Sequence, residues 1–128
     1  MVETFMRWLT PAAVFATAVS ASRAELVNLQ WQDTGRFERS MAIAPGKFAE
    51  LCGPLEPGQT IHWSFKADRP LNFNIHYHVD KDVKYPQKQD QVGSLEGVLA
   101  IDAKQDYCWM WVNKSTAAAA LTVSLRRN

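Results

Sequence analysis

From Glu25 onward, apolar and polar residues alternate with period two in short runs, and no stretch sustains the spacing of a helical stripe. The runs predict strands at Leu26–Trp31, Phe37–Ile43, Phe48–Leu51, Thr60–Lys66, Leu71–Val79, Val83–Tyr85, Gly97–Asp102, Tyr107–Asn113 and Leu121–Arg127. Turn residues separate them, at Asp33-Thr34-Gly35, Ala44-Pro45-Gly46, Gly53-Pro54, Pro57-Gly58, Asp68-Arg69-Pro70 and Gly93-Ser94. Many short strands punctuated in this way predict an all-β fold, an antiparallel, jelly-roll-like β-sandwich.

One pairing follows from the alternation itself. In Thr60–Lys66 the apolar set is Ile61, Trp63 and Phe65; in Leu71–Val79 it is Leu71, Phe73, Ile75, Tyr77 and Val79. A hairpin turning over Asp68-Arg69-Pro70 would set Phe65 opposite Phe73, Trp63 opposite Ile75 and Ile61 opposite Tyr77. A slip of one residue would expose half of that set. The same register brings His62 opposite His76, with His78 beside them, so all three histidines of the chain share one outward patch.

The N-terminus changes the setting. Arg7 precedes a short apolar stretch, Trp8 to Ser20, and Ser22-Arg23-Ala24 offers small residues where a signal peptidase cuts. Thirteen helical residues reach roughly 20 Å, short of the ~30 Å hydrocarbon core, so residues 1–24 read as a signal peptide rather than a span. The alternatives are a frayed helix or a short anchor. Residues 25–128 then form one domain at an extracytoplasmic location, periplasmic or secreted. Cleavage takes Lys plus Arg from 14 to 12 and Asp plus Glu from 13 to 12, leaving no net charge. No basic block remains for nucleic acid, and no second apolar run is long enough to be a transmembrane segment. Cys52 and Cys108 are an even pair in an exported chain, which favours a disulfide. A redox pair or metal thiolates would ordinarily show a Cys-x-x-Cys spacing, which is absent.

Between Cys52 and Leu125 the chain resembles a GOLD domain, the luminal β-sandwich of secretory-pathway cargo receptors. The resemblance rests on Cys52 ahead of Pro57-Gly58, on Ile61-His62-Trp63-Ser64-Phe65 and on Leu71-Asn72-Phe73-Asn74-Ile75. Tyr85-Pro86, Gly97, the run Tyr107-Cys108-Trp109-Met110-Trp111-Val112-Asn113 and the alternating Leu121 to Leu125 continue it. It implies a sandwich in which the strand cysteine pairs with one at the domain's start. Here Cys108 stands one residue after the tyrosine, where the family usually has three, though on the same strand face. The cargo receptors continue into a coiled coil, a membrane helix and a tail. Here the resemblance implies a stand-alone exported version, so fold and binding carry over and trafficking does not.

Two surfaces offer chemistry. His62, His76 and His78, at cross-strand distances of about 5 Å, could hold Cu²⁺ or Zn²⁺, with Asn72 and Asn74 orienting the rings. The plainer reading makes them polar residues on a solvated strand face. Tyr107–Val112 is apolar on both faces, so one set must turn away from the core. Tyr107, Trp109 and Trp111 are the candidate recognition surface, unless the N-terminal segment covers the outer set through Trp31 or Phe37. No Gly-x-Ser-x-Gly, His-Glu-x-x-His or phosphate loop points to an enzyme. Asn113-Lys114-Ser115 fits a glycosylation acceptor. The sequence thus reads as an exported, non-enzymatic binding module for a protein or small ligand. The alternative is an extracytoplasmic copper or zinc protein.

Overall fold

A computed structural model describes residues 24–128; the export signal read at 1–24 lies outside them, apart from Ala24. Seven strands account for most of the chain: β1 (Glu25–Asn28), β2 (Arg36–Ile43), β3 (Phe48–Leu55), β4 (Thr60–Val79), β5 (Asp82–Ala100), β6 (Gln105–Val112) and β7 (Ala119–Arg127). Hydrogen bonding links them in the order β1-β3-β6-β4-β7-β2, with β5 beside β4. All pairs are antiparallel except β1 with β3, which is parallel.

β4 makes this path a sandwich. Residues 61–67 pair with β7, whereas residues 72–76 pair with β6. Phe65 and Phe73, eight residues apart on one strand, nevertheless have ring centroids 4.7 Å apart, and Trp63 and Phe73 are 5.1 Å apart. At about 3.3 Å per residue an unbent strand would separate them by roughly 26 Å. The strand therefore turns a corner at Ala67–Pro70 and passes from one layer to the other. β5 turns with it, its register breaking between Ser94, opposite Lys66, and Val92, opposite Leu71. The first layer is β1-β3-β6 with the later halves of β4; the second is β2-β7 with its earlier half.

The hairpin expected over Asp68-Arg69-Pro70 is thus a corner, and the expected pairing of Phe65 with Phe73 is a contact across the core. The turn lies at Asp80-Lys81, with Asp80 at φ 53, a conformation that Asp tolerates better than most residues. The large apolar residues on either side of the corner, Ile61, Trp63, Phe65, Leu71, Phe73 and Ile75, all fall at odd positions and are all buried. No reversal was needed to keep both faces uniform.

Between the layers lie Leu51, Leu55, Ile61, Phe73, Ile75, Trp109, Trp111, Leu121 and Leu125, each nearly inaccessible to solvent. Trp111 contacts Phe65 edge-on, 5.7 Å between centroids, joining the two halves of β4 through β6. Tyr107, Trp109 and Trp111 belong to this core, with exposures of 2, 0 and 0 %. That corrects the expectation that they form a recognition surface. Each ring buries roughly 200 Å², worth about 5 kcal/mol at 25 cal/mol per Å², so the heavier face of β6 turns inward. Cys108, Met110 and Val112 take the outer face. Phe37 lies in the core on β2 and Trp31 packs beside it under Arg127, so neither residue is the expected cover for that outer set.

Asn113 closes β6 as a buried junction. Its amide donates to Ile43 O at 2.9 Å and Ala117 O at 2.8 Å, and its Oδ1 accepts from Ser115 N and Oγ. With no exposed surface, it is a structural node in the folded chain, not the glycan acceptor that its sequence context suggests.

Candidate functional site

The corner in β4 decides where the histidines go. His62 lies on the half paired with β7, opposite Arg126 and Val98. His76 lies on the half paired with β6, opposite Cys108. Both point outward, but from opposite layers, so the three-histidine patch does not form. His76 and His78 remain neighbours, with ring centroids 5.3 Å apart.

Around His76 the outer face of the first layer is closely knit. The Cys52–Cys108 disulfide bridges directly opposed residues of β3 and β6. In the chain-entropy picture, closing a loop of this length is worth about 4 kcal/mol. Beside it, His76 Nε2 is 3.2 Å from Glu50 Oε1 and Nδ1 is 2.7 Å from Asn74 Oδ1. Tyr85 lies 6.0 Å from the His76 ring, with Lys88 over its own face. Only 6 % of His76 is exposed. Burial pushes its imidazole below the ordinary value; the Glu50 carboxylate works the other way, and His78 adds to the depression. Glu50, His76 and Cys108 offer atoms within 4.8 Å of one another. The Cys108 sulfur is committed to the disulfide, however, which leaves a histidine–carboxylate pair, fewer ligands than Zn²⁺ or Cu²⁺ sites use.

The second layer carries a different arrangement. Its outer face reads as a lattice of cross-strand rows: Arg36, Arg126, His62 and Val98 in one, Glu38, Ser124, Ser64 and Glu96 in the next. A groove of about 520 Å³ opens over these rows, lined by Arg36, Arg126, His62, Ser64, Ser124 and Glu96. Volume in this range suits a small ligand or a few side chains. Val98, 62 % exposed, stands at one end. The Asn128 amide reaches His62 Nε2 at 3.2 Å and fixes one side of that ring. Trp63 lies beneath, its indole packed where Gly97 has no side chain; a Cβ there would stand 2.5 Å from Trp63 Cζ2.

Of the residues read from the sequence, only His62 belongs to this groove. Ser64, Ser124 and Arg126 were legible one by one as outward positions of alternating strands, whereas Arg36 and Glu96 fall one residue outside the runs that the alternation predicts. Their grouping rests on the pairing of β2 with β7, which are far apart in sequence. Among the described residues no helix is long and apolar enough to cross a membrane.

Neither a protein-family model nor a curated protein matches the chain. Its fold is similar to solved structures. PliG of Aeromonas hydrophila, a periplasmic inhibitor of g-type lysozyme, aligns with a TM-score of 0.66 at 12 % identity, over 83 % of this chain and 98 % of that one. PliG of Salmonella Typhimurium gives 0.59 at 12 % identity, over 82 % and 99 %. The pre-peptidase C-terminal domain of a Bacillus anthracis collagenase gives 0.59 at 12 % identity, over 82 % and 98 %. None of the three is a GOLD domain, so what stands of that resemblance is the β-sandwich class. The features that carried it, a disulfide between strands, an alternating aromatic strand and a closing asparagine, are structural parts of this sandwich. At this identity the likeness establishes a shared fold: the chain has the β-sandwich architecture seen in periplasmic lysozyme inhibitors and in a pre-peptidase C-terminal domain.

Proposed function

We propose that the chain is an exported, non-enzymatic binding module with a protein partner, and that it binds through the outer face of its second layer. The groove carries this reading: a concave surface on a sheet face, set with two unpaired arginines, two opposed serines and an exposed valine. Exposed polar anchors beside apolar contact area are what recognition surfaces require. The fold likeness supports a protein partner, because the PliG proteins are inhibitors of an enzyme, g-type lysozyme. The Cys52–Cys108 bridge suits an oxidising, extracytoplasmic compartment, in keeping with a signal peptide at 1–24.

A g-type lysozyme is the first partner to test. Clearing of a peptidoglycan suspension is followed with and without the purified protein, and calorimetry measures association directly. The expected result is loss of lytic activity at near-stoichiometric ratio, with saturable heat. Unchanged clearing and no heat at large molar excess would overturn lysozyme as the partner.

A further inference from the structure

We propose that the Arg36–Arg126–His62 row is an anion site that receives an Asp or Glu carboxylate projecting from the protein partner, a proposal that rests on the binding-module reading above. Arg36 and Arg126 are directly opposed in the β2–β7 register, and His62 is the next residue across, on β4. Opposed residues on antiparallel strands have Cβ atoms about 5 Å apart, and like charges so placed destabilise a sheet. Three other cations have a carboxylate partner, Arg39 with Glu25 at 3.2 Å, Arg69 with Asp68 at 3.8 Å and Lys104 with Glu56 at 3.5 Å; what sets Arg36 and Arg126 apart is that they are opposed to each other and face one groove. Among the described residues, neither Arg36 nor Arg126 has a carboxylate within ion-pair distance. The acids nearest on the lattice, Glu38 and Glu96, stand at the two ends of the adjoining row, about 7 Å along the strands.

Two guanidiniums with no ion-pair partner, facing a groove of about 520 Å³, present planar donor forks that match a carboxylate in bidentate geometry. A bound carboxylate would replace the repulsion between them with attraction on both sides. Ser64 and Ser124, opposed in the adjoining row, supply hydroxyls for the peptide groups that accompany the acidic side chain. Glu96 at the groove's edge disfavours a second acid there, so the site selects a single projecting carboxylate over an extended polyanion. Val98 gives the partner an apolar contact beside the charge.

The test uses N-acetylaspartate α-methylamide, whose only carboxylate is the side chain's, titrated into ¹⁵N-labelled protein while the arginine Nε–H and backbone amides are observed. Saturable shifts at Arg36, Arg126 and His62 are expected. Arg36→Gln or Arg126→Gln should each weaken binding by about tenfold, roughly the worth of one charge-assisted hydrogen bond. Arg39→Gln, which removes a cation already paired with Glu25, should leave the affinity unchanged. Both groove positions are exposed, and removing one of two opposed like charges should hold or raise the melting temperature, so misfolding does not obscure the result. Shifts that are absent or non-saturable, or an Arg39→Gln effect equal to that of Arg126→Gln, would overturn the site. The lysozyme assay repeated with Arg126→Gln separates the two readings. Lysozyme binding that ignores the substitution sinks the anion site and leaves the partner standing. Binding of N-acetylaspartate α-methylamide without lysozyme binding keeps the site and discards that partner.

Discussion

Replacing Asn113 by Asp changes almost nothing in shape and reverses the chemistry of the junction that closes β6. The side chain has no exposed surface. Its amide nitrogen now donates to Ile43 O and Ala117 O, at 2.9 and 2.8 Å, with Ala44 O further off at 3.4 Å. In Asn113→Asp an oxygen takes that place and faces the same carbonyls without a proton to share. Ser115 Oγ, 2.8 Å from Ala117 O, can still serve that carbonyl, but Ile43 O loses its side-chain donor and the introduced oxygen has none, and at about 2 kcal/mol for each unsatisfied buried acceptor the loss amounts to about 4 kcal/mol. Because the substitution is isosteric, no cavity contributes. With a urea m-value of about 1.5 kcal/mol per molar, the unfolding midpoint should fall by nearly 3 M at pH 7. The deficit should shrink on acidification. Burial among carbonyls raises the introduced carboxyl above the ~3.9 of an unfolded aspartate. Between those values the native variant binds more protons than its unfolded chain, so its stability rises as pH falls. Urea unfolding followed by tryptophan fluorescence, at pH 7 and near pH 5, measures both effects. A loss below about 1 kcal/mol, or a deficit that widens in acid, would refute this account of Asn113.

Gly97→Ala should cost about 2 kcal/mol, lowering the melting temperature by roughly 8 °C, because the new methyl meets the Trp63 ring and that rigid indole is packed against Phe73. Gly93→Ala, whose Cβ meets only Ala67 O at 3.9 Å, should stay within about 1 kcal/mol of the parent in the same thermal scan. His76 gives a pH signature. Its folded value lies below the ordinary one, chiefly through burial, so the unfolded chain holds more protons between that value and about 6.5. The stability that it contributes is fully present above about 6.5 and is lost as pH falls toward the folded value. His76→Gln should flatten that part of the stability profile measured by denaturant titration, and an unchanged slope would contradict the burial argument.

What the sequence determined by itself is local and periodic. Alternation at Ile61, Trp63, Phe65, Leu71, Phe73 and Ile75 assigned these residues to the core, because a strand with one buried face admits only one parity. The positions of β2, β6 and β7 followed from the same rule to within two residues, whereas β3 and β5 run on through Gly53-Pro54 and Gly93-Ser94, which the sequence marks as turns. The paired cysteines, in a chain with an export-like N-terminus, pointed to the bridge that joins β3 and β6. None of this depends on which strands are neighbours.

Only the tertiary structure decided what does. Parity is the same for a hairpin and for one strand bent at Ala67–Pro70, so the alternation could not show that β4 changes layers, and the expected histidine patch rested on that choice. β6 is apolar on both faces, so its orientation was settled by the larger area of Tyr107, Trp109 and Trp111 once two layers existed to enclose it. The Arg36–Arg126–His62 row joins β2, β7 and β4 across long stretches of chain. Its unrelieved positive charge arises from pairings between segments that carry no mark of one another, and pairing at such distance is fixed by packing rather than by local pattern.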